Sequence, residues 1–447
     1  MPVLPRNTTP DAAAPVAAQE SGLPAGRQLW VLGLCFATIV FDGYDLIVYG
    51  SVVPELLEHR AWDLSPQQVG AIGSLALVGM LLGALAVGAL TDLIGRRKVL
   101  LGCLVWFSVA MALCAIAPTP AAFAAFRLLA GLGLGGVMPT TVALTIEWAP
   151  PGKQQIFNAL MFSGYSVGGV LAALLAIWLL PEHSFRTLFA FGALPLVTVV
   201  PLAYRFLPES RHFRRGQRSG GQGPAVGPAA LFTRRYVAAT LLFPLAAFFA
   251  LLTVYGLNTW LPEIMRKAGY PLTSGLSFLV VLNAGAVTGA VLGSFLADKV
   301  GPRAVTAAGF LVAAGSVIAM SRGLPLGLLY LVVAAAGCGS VGTQILLNGY
   351  VASYYDSAQR ATALGWTLGV GRLGAILGPT MGGFLLASDL GVDWNFYIFA
   401  AAAVLGATAL LLVPPRKVDL ADDDEREIRL DEEQASGADS RRSLSSH

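Results

Sequence analysis

Charge is what this chain of 447 residues has least of: Asp, Glu, Lys and Arg make up 12% of it, against 55% hydrophobic residues. An average soluble domain carries about twice that share of charge, so a water-soluble globule is excluded at the outset. Cysteine is scarce too. Cys35, Cys103, Cys114 and Cys338 each sit in an apolar run without CxxC or metal-ligand spacing, which leaves them as small packing residues. The histidines (His59, His183, His212 and His447) fall in loops or tails, so no helix offers a histidine proton relay. Short alternating segments of the kind that build a membrane barrel are missing. So are a Walker loop and an HExxH helix, which excludes ATP-driven transport and zinc-protease chemistry. No nucleic-acid module is present. No basic-then-apolar leader opens the chain either; residues 1–27 are polar and rich in Ala and Pro, and are expected to form a disordered cytoplasmic tail. The expectation is a protein that is no enzyme and holds no metal or cofactor.

What the chain does have is apolar runs of bilayer-crossing length. Twelve spans are predicted, over 28–50, 67–91, 97–117, 121–146, 154–180, 185–207, 236–259, 274–297, 303–321, 325–350, 361–387 and 394–413. Helix-start signals mark some boundaries. "LSPQQ" offers Ser65 as N-cap with Pro66 at the first helical position, and "YPLTSG" is expected to do the same before the eighth span. The fold class is therefore an all-α membrane protein. An Arg-, Gly- and Pro-rich stretch, 208–235, divides it into six-helix bundles over 28–207 and 236–413, and an acidic tail follows over 414–447. Lys and Arg gather in loop 95–99, the central loop and loop 298–303, while the opposite loops are sparse. Positive residues stay inside, so both termini and the central loop are expected in the cytoplasm.

The halves echo each other. "TDLIGRRKV" at 91–99 and "ADKVGPRAV" at 297–305 align Asp92 with Asp298, Gly95 with Gly301 and Arg97 with Arg303. A duplicated six-span unit is the mark of a two-bundle transporter with its site between the bundles.

The most informative stretch is "FDGYD" at 41–45, two carboxylates inside the first apolar run. An ionisable residue at membrane depth should face a cavity and find a partner. Asp42 and Asp45, three apart, share one helix face, and Gly43 between them allows close helix approach. With the N-terminus inside, Asp42 lies roughly 12 Å below the outer end of its span, and Arg127 lies roughly 9 Å into the fourth span from the same side. Arg127 is thus the natural partner of Asp42 or Asp45. Which acid carries a proton stays open, because two nearby carboxylates can titrate as one unit. Arg372 sits near the middle of the eleventh span, with no acid at comparable depth in that span. It is either a substrate-carboxylate ligand or a structural partner.

Two motifs carry a family resemblance. "GALTDLIGRRKVL" fits G-x-x-x-D-x-x-G-R-[RK] over Gly88, Asp92, Gly95, Arg96 and Arg97, and resembles the hallmark cytoplasmic loop of the major facilitator superfamily. The resemblance implies two pseudo-symmetric bundles and a cytoplasmic gate network. Glu147, Asp298 and Arg303 are its expected further members. The "DGYD" of the first span together with "GVGRLGAILGP" of the eleventh resembles the aromatic acid:proton symporter family. That resemblance implies proton-coupled import of a benzoate, hydroxybenzoate, protocatechuate or gentisate type of anion. Candidate ring contacts are Tyr44, Tyr255, Asn258, Trp260, Asn283, Gln344, Asn348 and Trp366, with packing or interfacial anchoring as the alternative for each. The expected partners are a small aromatic carboxylate, a proton and membrane lipid, with no nucleic acid, and the expected state is a monomer. An alanine-rich composition points to a bacterial source and so to the cytoplasmic (inner) membrane. A porter for a sugar or an aliphatic organic acid, a drug exporter and a non-transporting receptor are the rival readings.

Overall fold

The computed structural model describes residues 25–150, 153–209, 231–356 and 359–415. Most of the expected central loop and nearly all of both tails lie outside the described residues. Among the described residues every regular element is helical. We number the spans α1 (Ala25–Glu58), α2 (Pro66–Ile94), α3 (Arg96–Ala115), α4 (Pro120–Trp148), α5 (Gln154–Leu179) and α6 (Phe185–Phe206) in the first half. The second half holds α7 (Val237–Lys267), α8 (Leu272–Val300), α9 (Pro302–Met320), α10 (Leu326–Tyr354), α11 (Arg360–Leu386) and α12 (Asp393–Leu411). Eleven of these are long and apolar enough to cross a membrane by themselves. The other, α11, has 27 residues diluted by glycine and arginine, and is still long enough at about 1.5 Å per residue. The protein is an integral membrane protein of all-α class.

Local chemistry sets the helix ends. Ser65 caps α2, its hydroxyl accepting from the Gln68 amide at 3.3 Å while the Gln68 side chain accepts from the Ser65 amide at 2.8 Å. This closes a capping box with Pro66 in the first turn. The cap expected from "YPLTSG" is not made. There α8 begins at Leu272 with Pro271 in the cap position and no side-chain cap bond, because proline has no side-chain acceptor and Thr273 and Ser274 already lie inside the first turn. Two spans are not single α-helices. Span α6 breaks into Phe185–Gly192 and Val199–Phe206 around a 3-10 turn at Leu194–Leu196, and α10 carries a π-helical turn at Cys338–Gly342.

The internal repeat is visible in the backbone. Gly95 and Gly301, 206 residues apart in the sequence, join α2 to α3 and α8 to α9 with φ of 94° and 101°. These left-handed values favour glycine. The aligned arginines then do the same job: Arg97 donates to the Tyr204 carbonyl near the end of α6, and Arg303 donates to the Leu411 carbonyl at the end of α12. Each arginine ties the third helix of its half to the C-terminus of the sixth, where unsatisfied carbonyls favour a cation.

The halves meet through α1 with α7, α2 with α11, and α5 with α8. Ser74 donates to the Ile376 carbonyl at 2.5 Å and shares a 2.7 Å hydroxyl contact with Thr380. The α7 backbone at Asn258 runs against Gly50. Glu58 at the end of α1 pairs with Arg266 near the end of α7. These contacts lie toward the end of the helices remote from the chain termini, so that end is sealed.

Candidate functional site

The site is built where α1 crosses α5, and Gly43 is the reason the two can approach. A Cβ on Gly43 would lie under 3.0 Å from the Tyr165 backbone carbonyl. A side chain there is incompatible with the crossing, and the crossing puts Tyr165 of α5 directly against the helical turn that bears Asp42 and Asp45.

The two aspartates have different surroundings although both are buried. Asp45 is ion-paired with Arg127 of α4, and each side chain is 3% exposed. The guanidinium lies 5.2 Å from the Tyr49 ring and 5.7 Å from the Phe189 ring, where aromatic faces attract a cation. Asp42 makes no ion pair with a described residue, and its Oδ2 is buried without a hydrogen-bond partner. Its charged neighbours are Arg372 of α11 first and Asp45 second. Arg372 is half-buried and touches the Met80 sulfur at 3.7 Å. It forms no ion pair with a described carboxylate. The hydroxyls of Tyr165 and Tyr255 of α7 interact with each other, and both tyrosines feel Asp42 and Arg372. Four helices from both halves therefore converge on one group: Asp42, Arg372, Tyr165 and Tyr255. It contains a buried carboxyl free of ion pairing, a guanidinium free of carboxylate, and two phenols.

The other predicted contacts are distributed around this group and away from it. The Asn283 amide donates to the Leu279 carbonyl at 2.9 Å and to Asn258 Oδ1 at 3.4 Å, and Asn258 itself donates to the Val254 carbonyl at 2.8 Å. This amide pair joins α7 to α8, with Gly169 of α5 against Asn283. On α10, Gln344 donates to Asn348 at 3.2 Å and keeps a buried, unpartnered Oε1. Tyr44 is turned elsewhere, its hydroxyl donating to the Leu188 carbonyl of α6 at 2.7 Å. Trp260 is fully buried and donates to the Pro379 carbonyl at 2.7 Å. Trp366 donates to the Thr240 carbonyl at 3.0 Å and meets the Phe232 ring edge-on, away from the four-residue group.

Of the gate residues, Arg96 pairs with Glu147 at 3.2 Å, linking the loop to the end of α4. The backbone amide of Arg97 donates to Glu209 at 3.0 Å, and that carboxylate covers Gly95. Asp298 is exposed and ion-pairs with no described residue, while Arg303 is used on Leu411. The surroundings of Gly88 and the side chain of Asp92 lie outside what is described. The ties of Arg96, Arg97 and Arg303 thus run within one half or the other.

Three groups escaped sequence reasoning. Tyr165 sits in "GYSVGG", which reads as glycine-rich, and the tyrosine among the glycines was the signal. These letters also fit G-x-S-x-G, the spacing of a serine-hydrolase elbow, but Ser166 is buried in mid-helix rather than displayed on a strand-to-helix turn. Glu209 belongs to "LPES", a stretch without obvious chemistry. Arg266 binds both oxygens of the fully buried Glu263, at 2.8 and 2.9 Å, as well as Glu58, and only its spacing from Glu263 hinted at this.

The pattern of the Major Facilitator Superfamily matches residues 35–366 and 281–444. The chain is 41% identical to the gentisate transporter of Corynebacterium glutamicum, over 86% of this chain and 87% of that one. It is 37% identical to the benzoate transport protein of Acinetobacter baylyi, over 87% and 90%. It is 32% identical to a 4-hydroxybenzoate transporter of Pseudomonas aeruginosa, over 91% and 95%. Among solved structures, the D-xylose–proton symporter shares the fold with a TM-score of 0.70 at 16% identity, over 87% of this chain and 98% of that one. The chain belongs to the Major Facilitator Superfamily, in the group that holds these aromatic-acid transporters.

Proposed function

We propose that this protein imports a small aromatic carboxylate of the benzoate or hydroxybenzoate class together with a proton, by alternating access. It works as a monomer in the bacterial cytoplasmic membrane, with both termini in the cytoplasm, driven by the proton gradient. The observation that carries this reading is the pairing of unlike environments in the central group. Asp45 is held by Arg127, whereas Asp42 can gain or lose a proton without breaking an ion pair. Arg372 beside it has no carboxylate ligand at ion-pair distance, and its planar fork suits one.

The coupling follows from shared partners. When the site opens to the outside, Asp42 takes a proton and its attraction to Arg372 ends. The guanidinium then accepts the substrate carboxylate, with the Tyr165 and Tyr255 phenols beside the ring. The Asn258–Asn283 amides and Gln344 serve ring hydroxyls. After the halves rock, substrate leaves to the cytoplasm, the proton follows, and the Asp42 charge returns to Arg372. With this topology the sealed remote end is the periplasmic one. The Arg96, Arg97 and Glu147 contacts are then parts of a cytoplasmic gate that joins the halves only in the opposite state.

Uptake of labelled benzoate, 4-hydroxybenzoate and gentisate into proteoliposomes, with and without an inward proton gradient, tests the reading. Gradient-driven uptake of an aromatic acid, beside none of xylose or succinate, is the expected result. Uptake of a sugar or an aliphatic acid in place of every aromatic acid contradicts it.

A further inference from the structure

The two halves differ in one respect that their repeat does not explain. In both halves the third and sixth helices close on each other at a glycine, Phe310 of α9 against Gly406 of α12 and Met111 of α3 against Gly192 of α6, but only α12 continues unbroken past it. In the first half the corresponding helices are α3 and α6, and α6 is broken by the sequence GALPLVT around Pro195. A groove of about 730 Å³ lies on the outer surface of the bundle, between α3 and the helical piece of α6 that follows the break. Its walls are Leu101, Val105, Val109 and Leu113 of α3 with Pro201 and Tyr204 of α6. Trp106 is fixed along it by a 2.8 Å bond to the Leu129 carbonyl.

The groove is apolar along its length and basic at one end. Lys98 lines that end, is exposed and makes no ion pair with a described residue. Arg97 lies behind Tyr204, 5.6 Å from its ring, and its Nε is buried without a partner. Arg205 is exposed beside them. The carboxylate nearby, Glu209, is engaged by the Arg97 backbone amide. From Lys98 to Leu113 α3 rises about 22 Å, which matches one leaflet with its headgroups, about 20–22 Å.

We propose that this groove is a binding site for one anionic phospholipid from the leaflet on the side of the termini. Its phosphate sits at Lys98 and Tyr204, and an acyl chain runs along α3 toward Leu113. The charge complementarity selects an anionic headgroup over a zwitterionic one, since basic pockets between spans attract such lipids. The site also abuts the Gly95–Arg97–Tyr204 tie, so occupancy stiffens the junction between α3 and α6. The inference is independent of the transported substrate.

Native mass spectrometry of the full chain, released from nanodiscs of mixed phosphatidylglycerol and phosphatidylethanolamine, tests it. The wild type is expected to retain a phosphatidylglycerol, favoured roughly five- to tenfold over phosphatidylethanolamine. Lys98→Gln should remove the preference. Gly102 on the same face of α3 has open space around it, so Gly102→Phe should fill the groove and abolish retention while leaving thermal stability unchanged. Gly102→Leu is the milder filler should the larger one disturb folding. Equal retention of the two lipids by the wild type overturns the proposal, as does wild-type retention by both fillers. A dimer that the fillers dissolve also overturns it, since the groove would then be an interface between copies.

Discussion

Removing one partner of the Asp45–Arg127 pair should destabilise the protein far more than removing both. Each side chain is only 3% exposed, so a single substitution leaves an uncompensated charge in the bundle. Breaking a buried pair in this way costs about 3–5 kcal/mol, whereas replacing both ions by apolar residues of similar volume is often neutral or better. Arg127 also loses or keeps its place between Tyr49 and Phe189, a cation–aromatic contribution of about 0.5–2 kcal/mol. For a unit the size of one half, about 2–4 °C accompanies each kcal/mol. Asp45→Leu and Arg127→Met are therefore each expected to lower Tm by roughly 10 °C, and the double variant by much less. A thiol-reactive dye reads the unfolding, because Cys35 and Cys114 are fully buried in the native state. Single variants that lose under about 1 kcal/mol, or a double variant as damaged as the sum of the singles, would refute the reasoning.

Other expectations follow from the same geometry. Gly43→Ala places a Cβ against the Tyr165 backbone, so α5 must move. The variant should lose about 1–3 kcal/mol of stability and most transport, seen together in Tm and uptake rate. Arg372→Gln removes the proposed carboxylate fork. Truncating such a partner costs about 2–5 kcal/mol, so KM for the aromatic acid should rise by roughly 30-fold or more, with Arg372→Lys rescuing it only in part. Arg266→Ala orphans Glu263, which is fully buried, and should lower Tm. Glu263→Gln added to it should recover much of the loss, while Glu58→Ala changes Tm little because Glu58 is 65% exposed.

How much of this was legible in sequence depends on the kind of physics involved. Composition and run length were enough for eleven of the twelve spans, because crossing a bilayer makes demands that composition records directly; α11, diluted by glycine and arginine, rested on its length. The capping box at Ser65 was legible for a similar reason: its chemistry is local. Buried charge was legible as well, since two carboxylates in an apolar run demand a partner, and Arg127 was the one at matching depth. Which aspartate it would choose was not legible. That depends on the rotation of α1 against α4, which the close approach of α5 at Gly43 constrains. Tyr165 and Tyr255 meet only because spans from different halves converge around Asp42 and Arg372, and no spacing in the chain encodes that meeting. Tyr44 and Trp366 had the right residue types for a ring contact, and each instead satisfies a backbone carbonyl within its own half. The groove beside α3 was not legible either, because its walls come from residues about 100 apart that only the packing of α3 against the end of α6 brings together.

The central claim is that Asp42 carries the coupled proton while Arg372 holds the substrate. Comparing Asp42→Asn with wild type in two assays on the same proteoliposomes tests it most directly. One assay is uptake driven by an inward proton gradient, and the other is exchange of labelled for unlabelled aromatic acid without a gradient. The account predicts that Asp42→Asn abolishes gradient-driven uptake and retains exchange, because a neutral side chain at 42 mimics the protonated carrier and leaves Arg372 free. Gradient-driven uptake that survives in Asp42→Asn at the wild-type rate would contradict it.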